Sequence, residues 1–300
     1  MKRIFIAGCG GMLGDAMYHV LKDDFILKCT DKEITDAYIN YLDFRNFSNY
    51  KKSVEEFKAD YLFHIGAYTD LEWCEQNIDE TYLNNTLSVE NAVRIANNMN
   101  IPLVYISTAG IFDGKQREYN DWDNPNPLSV YGKSKYYAER YVIENANKYL
   151  VLRAGWMMGG GPNKDKKFVQ KIMKQIKDGK KEIFAVTDKF GTPTYTFDFV
   201  KTLKTLLEKE YWGLYNCTCS GSCSRFDVAK EILNILGLEH EIKLTPVDSS
   251  FFERDYFANR PYSEELLTKK IDILGVSSMR DWKVSLTEYI NKDYKNYLDE

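Results

Sequence analysis

Tyr131-Gly132-Lys133-Ser134-Lys135 sets a phenol and an ammonium four residues apart. On a helix this spacing brings both side chains to one face. A neighbouring ammonium favours the phenolate, so Lys135 is expected to draw the Tyr131 pKa down from about 10 toward neutrality. Such a phenol can pass a proton to an alkoxide forming at a carbonyl under attack. The pattern alone is common in a chain with 22 Tyr, where a solvated surface pair is the plain alternative. Ser107-Thr108 strengthens the first reading. These hydroxyls end an apolar run at what should be the carboxyl edge of a sheet, and Thr108 could donate to the same carbonyl oxygen.

Gly8-Cys9-Gly10-Gly11-Met12-Leu13-Gly14 follows an apolar run directly and opens a helical pattern, with Gly-x-x-Gly-x-x-Gly spacing and an added glycine at Gly10. Small residues let the backbone approach a pyrophosphate, and the helix N-terminus supplies free N–H groups and positive dipole. The stretch is therefore expected to bind a dinucleotide through its backbone, Met12 and Leu13 included. Asp31 lies about 20 residues further on, where an acid commonly accepts the adenosine ribose hydroxyls, and it leans the cofactor toward NADH. Lys32 beside it could hold the 2′-phosphate of NADPH instead. A solvated turn is the alternative for Asp31. Asp43-Phe44 offers an acid and a ring for adenine. With a nicotinamide so placed, Lys135 could also bond its ribose.

These residues need a scaffold that brings distant segments to one edge. Arg3–Ala7, Phe25–Cys29, Tyr61–Ile65, Leu103–Ser107 and Tyr149–Arg153 read as strands buried on both faces. Helical patterns lie between them near Gly11–Leu21, Phe47–Phe57, Glu80–Asn98 and Val130–Ala146. This alternation predicts an α/β fold with a doubly wound parallel, Rossmann-type sheet. The second half is less regular. Helices are expected at Lys167–Lys177, Phe197–Glu208, Phe226–Leu236 (with Ser224 as N-cap) and Leu286–Tyr297. Gly213–Thr218 reads as a strand and Ile242–Ser263 as irregular. No linker divides the chain, so a smaller substrate domain should be interleaved: residues 1–155 and about 188–220 for the dinucleotide, about 156–187 and 221–300 for the substrate.

Composition excludes other classes. Forty basic against 44 acidic residues give a charge of −4, with no global field for nucleic acid. No stretch approaches the ~18–20 apolar residues of a membrane helix, and the start is unlike a signal peptide. Six Cys in 300 residues suggest free thiols in a reducing cytoplasm. Cys217-x-Cys219-x-x-x-Cys223 lacks a nearby His, and its first two members should share one face of a strand, so no metal site is expected. The lysines from Lys164 to Lys181 read as a wet helix face, some of them facing a substrate pyrophosphate.

The glycine turn, Ala67-Tyr68-Thr69, Asn85 with Asn91, Ser107-Thr108 and Tyr131/Lys135 together resemble the extended short-chain dehydrogenase/reductases. Arg153-Ala154-Gly155-Trp156, Asp188-Lys189-Phe190-Gly191-Thr192-Pro193-Thr194, Gly213-Leu214-Tyr215-Asn216 and Arg260-Pro261 followed by Leu266-Leu267-Thr268 are similar to the dTDP-4-dehydrorhamnose reductase family. The resemblance runs over essentially the whole chain. It implies reduction of the 4-keto group of a nucleotide-linked deoxysugar with NADH or NADPH. It also implies catalytic roles for Thr108, Tyr131 and Lys135, cofactor contacts from Ala67, Tyr68 and Thr69, and sugar-nucleotide contacts from Trp156 and Arg260. A homodimer is a further expectation. Two other functions fit the same fold: a nucleotide-sugar epimerase, and a non-catalytic regulatory subunit of S-adenosylmethionine synthetase. One departure stands out. Where the family continues Ser-Thr with Asp-Tyr-Val-Phe, this chain has Ala109-Gly110-Ile111-Phe112. The sugar is then expected to differ from the usual rhamnose precursor, or to be held by other groups.

Overall fold

Seven strands form one all-parallel sheet: β1 (Arg3–Ala7), β2 (Ile26–Asp31), β3 (Ile39–Tyr41), β4 (Tyr61–His64), β5 (Leu103–Thr108), β6 (Tyr149–Ala154) and β7 (Gly213–Asn216). Their spatial order is β3-β2-β1-β4-β5-β6-β7. The computed structural model describes residues 1–298. Alternate residues of β1 enter opposite cores, as strand geometry requires. Ile4 and Ile6 pack with the helices Met12–Leu21 and Thr196–Glu208, whereas Phe5 and Ala7 join the cluster beneath Phe47–Phe57, Ser88–Met99 and Val130–Asn145. Helices on both faces explain the continuous apolar runs. The order reverses between β1 and β4, and this opens a crevice at the carboxyl ends of the strands.

The expected helix Glu80–Asn98 is divided. An α-helical turn at Ile78–Tyr82 gives way to a π-helical turn at Leu83–Leu87, and the α-helix resumes at Ser88–Met99. The widened turn carries Asn85, whose side chain is consumed by tertiary hydrogen bonds described below. π-turns of this kind concentrate at functional sites.

A second core gathers Met158, Ile172, Tyr195, Cys219, Ile232, Leu286 and Tyr289. Ser224 caps the helix Arg225–Leu236 and forms a reciprocal capping box with Asp227. Three expectations are corrected here. Lys243–Val247 within the stretch read as irregular is a strand, parallel to Glu182–Val186; with no fully buried residue and holding Pro246, it shows no apolar alternation. The last helix runs Trp282–Asp293, four residues earlier than its apolar pattern suggests, because Asp281 caps it. Strand β7 stops at Asn216, so Cys217 and Cys219 do not alternate along it; Cys217 enters the first core and Cys219 the second. The short helix Lys269–Leu274 packs beside β7, although it lies in the stretch assigned to the substrate domain. Among the described residues, no helix is long and apolar enough to cross a membrane.

Candidate active site

The glycine turn leaves the carboxyl end of β1 and leads into the helix Met12–Leu21. Gly8 has φ +95°, and a Cβ there would lie 2.2 Å from Gly66 Cα, so only glycine lets the ends of β1 and β4 meet. Gly14 is fixed by packing, since a Cβ would sit 2.2 Å from the Cys9 carbonyl oxygen. Gly11 differs from both. It is the N-cap with no side-chain cap, and nothing lies within 4 Å of the place its Cβ would take. The helix N-terminus thus opens on a backbone cradle with free N–H groups, which fits a pyrophosphate. Leu13 turns its side chain into the core, so only its backbone, like that of Met12, can face a ligand.

Asp31 ends β2 beside this cradle. Its carboxylate accepts from the N–H of Gly10 at 2.9 Å and of Glu33 at 3.1 Å. Lys32 donates to the Tyr68 hydroxyl at 2.8 Å and lies over its ring. Asp43 is clasped by Arg45, with the shortest contact 2.7 Å, and this pairing holds its carboxyl below the usual range. Phe44 is buried against Tyr50 and His64, and its ring lies 2.5 Å from the position of a Cβ on Gly66. It shapes the floor at Gly66, and its side chain is taken up by packing rather than presented to adenine.

Ala67, Tyr68 and Thr69 follow β4 into the crevice. Asn85 holds them: its Oδ1 accepts from the Tyr68 N–H at 2.8 Å, and its Nδ2 donates to the Tyr68 carbonyl at 3.0 Å and to Ser134 Oγ at 3.1 Å. One amide therefore ties the loop to the helix that carries Tyr131 and Lys135. Lys167 secures the other side by donating to the carbonyl and hydroxyl of Thr69, each at 2.9 Å.

The helix Val130–Asn145 begins at Ser129, whose side chain accepts from the Gly132 N–H at 3.0 Å. A Cβ on Gly132 would meet the Gly110 carbonyl at 2.4 Å, so this glycine allows the helix to press against the 3₁₀ turn Ala109–Ile111. The approach brings Tyr131 beside Thr108. Thr108 Oγ1 accepts from the Gly110 N–H at 3.1 Å, which leaves the hydroxyl proton free to donate. Thr108 and Tyr131 thus meet, and Lys135 lies one turn further along the same helix. Their electrostatics do not follow the simple expectation. Burial dominates and pushes the Tyr131 phenol up to about 12, despite its contact with Thr108. Burial likewise pushes Lys135 down to about 7, and its ammonium lies over the Tyr105 ring at 4.3 Å. Tyr131 therefore carries its proton at neutral pH, the state a general acid requires.

Trp156 begins the short strand Trp156–Met158. Its Nε1–H donates to Glu264 Oε2 at 2.7 Å, and the Arg225 guanidinium is 3.5 Å from its ring centroid. A Cβ on Gly191 would lie 2.4 Å from the indole, so the Asp188–Thr194 segment acts as the bed for this ring. Arg260 is placed differently: its guanidinium pairs with Glu72 at 2.7 Å, fastening the segment before Pro261 to the helix Leu71–Gln76. Glu264, Arg225 and the role of Asn85 escape the sequence reading. Glu264 and Glu265 are adjacent acids on a two-faced strand, the one available signal.

A glycine cradle at the crevice of a parallel sheet, with a Tyr-Lys helix beside it, is the arrangement of the extended short-chain dehydrogenase/reductases. A family model described as the RmlD substrate binding domain matches residues 1–295. The chain is 28% identical to dTDP-4-dehydrorhamnose reductase of Aggregatibacter actinomycetemcomitans, over 95% of this chain and 97% of that one. It superposes on the crystal structure of a dTDP-4-dehydrorhamnose reductase from Clostridium acetobutylicum with TM-score 0.87 and 30% identity, covering 97% and 99% of the two chains. The reductase of Bacillus anthracis in complex with NADP gives TM-score 0.86 and 28% identity over 97% and 99%. The chain belongs to the RmlD family.

Proposed function

We propose that this chain is a nicotinamide-dependent oxidoreductase that reduces the 4-keto group of a nucleotide-linked deoxysugar, as a dTDP-4-dehydrorhamnose reductase does. The observation that carries the reading is the contact of Tyr131 with Thr108 at the carboxyl end of β5, in a sheet whose glycine turn leaves the space at Gly11 open. The cofactor, when bound, supplies the hydride to the carbonyl carbon. Tyr131 gives its phenolic proton to the carbonyl oxygen, and Thr108 donates a hydrogen bond to the same atom as charge develops there. Lys135 positions the ribose and supports the phenolate that Tyr131 becomes. Gly8, Gly10, Gly11, Met12, Leu13 and Gly14 seat the pyrophosphate, and Ala67, Tyr68 and Thr69 line the cofactor. Asp31 receives the adenosine ribose hydroxyls and favours NADH, with Lys32 as the group that admits NADPH.

The test is stoichiometric. Incubation with dTDP-4-dehydrorhamnose should consume one NADH or NADPH for each sugar reduced. An epimerase regenerates its cofactor in every cycle, so sugar conversion without net consumption would replace the reductase reading. No conversion at all, in a protein that binds the cofactor, would leave a binding protein.

A further inference from the structure

We infer that Glu264 determines substrate specificity: its carboxylate accepts a hydrogen bond from a sugar hydroxyl next to the carbonyl that Tyr131 protonates. The inference rests on the proposed substrate class and deepens it. Its starting point is the space beside Gly110. A Cβ there would lie 3.4 Å from Glu264 Oε1, 3.5 Å from Thr108 Oγ1 and 3.7 Å from Tyr131 Cε1. Gly110 thus stands at van der Waals distance from Thr108, from the Tyr131 ring and from a carboxylate delivered by a distant strand.

The carboxylate is built into place. Glu264 lies on the strand Ser263–Leu266, where side chains alternate. Its neighbour Glu265 faces away and pairs with Arg117 at 3.3 Å. Trp156 holds Oε2 at 2.7 Å, and Trp156 is itself braced by Gly191 and Arg225. Among the described residues, Oε1 has no hydrogen-bond partner. An ionised carboxylate has about four acceptor positions. One is occupied by the indole, and those on Oε1 border the reaction centre. Arg225 supplies a nearby positive charge, so the acid is not isolated. A sugar hydroxyl is the donor this arrangement suits, and an acceptor that a bound sugar would cover unpaired is what rejects a sugar lacking that hydroxyl.

The experiment measures binding and turnover separately, in wild type, Glu264→Ala and Glu264→Gln, with the oxidised cofactor present during binding. The probes are dTDP and dTDP-rhamnose. Glu264→Ala should weaken dTDP-rhamnose about 10- to 100-fold, the scale of a lost charge-assisted hydrogen bond, and leave dTDP unchanged. Glu264→Gln keeps an acceptor for Trp156 and should lose less. A structural role acting only through Trp156 would instead leave the amide variant at wild-type affinity for both probes, and that result overturns the proposal. Equal losses for dTDP and dTDP-rhamnose also overturn it. If the sugar-specific loss is found but wild type consumes no NADH or NADPH, the reductase reading fails and the Glu264 site stands. If wild type binds neither probe, both fail.

Discussion

Arg153 on β6 clasps Glu139 on the helix that carries Tyr131 and Lys135, with its shortest contact at 2.6 Å and both side chains buried. Arg153 also reaches the Asp121 carbonyl at 3.4 Å. Glu139 lies four residues beyond Lys135, so the pair fixes the same helix face that presents the catalytic groups. Removing one partner strands a buried charge. Arg153→Ala should therefore lose about 3–5 kcal/mol in denaturant unfolding. A change within about 0.5 kcal/mol, the scale of a surface substitution, would show that the pair does not anchor the helix.

Gly11 separates binding from folding. Its φ of −94° suits any residue, and open space stands before it. Gly11→Val should fold with an unchanged melting temperature and bind NADH and NADPH at least about tenfold more weakly, or about 1.4 kcal/mol. Gly14→Val, by contrast, collides with the Cys9 backbone and should destabilise the fold. Fluorescence titration and thermal melts check both. Unchanged cofactor affinity in a folded Gly11→Val protein would misplace the cradle.

Lys135 predicts a pH dependence in the cofactor-free protein. Its folded pKa of about 7 lies below the ordinary 10.5. Between those values the unfolded chain binds a proton that the folded chain lacks, so stability rises with pH. This contribution should grow as pH climbs above about 7, and Lys135→Met should abolish it. The variant should also be the more stable protein near pH 7, by on the order of a few kcal/mol, because it buries no ammonium. Urea midpoints from about pH 6 to 9 test this; parallel curves for the two proteins would contradict it.

Asp31 has two duties in the structure, receiving the Gly10 N–H and standing at the end of β2. Asp31→Ala should weaken both cofactors through the glycine turn. It should weaken NADH about tenfold more than NADPH, since it also removes a ribose acceptor and a charge that repels the 2′-phosphate. Equal losses would confine Asp31 to the turn.

The sheet and its flanking helices were legible because strands buried on both faces leave unbroken apolar runs, as in Leu103–Thr108. Lys243–Val247 was not, because a strand with no fully buried residue and with a proline leaves no such trace. At the site, Gly11, Tyr131 and Lys135 could be read from spacing within one element. Glu264 could not: its meaning comes from a fold that carries residue 264 to residue 110. The π-turn at Asn85 escaped for a related reason, since partners at Tyr68 and Ser134, not local propensity, widen the helix there. Spacing within a helix does not reveal burial, and it is burial that raises the Tyr131 pKa and lowers that of Lys135.

The most direct test of the account is Tyr131→Phe assayed for NADH or NADPH oxidation with dTDP-4-dehydrorhamnose. The phenyl ring retains the packing beside Thr108 and removes only the proton donor. Turnover should fall about 10²- to 10⁴-fold, the usual scale for a positioned general acid, with cofactor affinity unchanged. Near-wild-type turnover in this variant would contradict the assignment of Tyr131 as the group that protonates the sugar carbonyl.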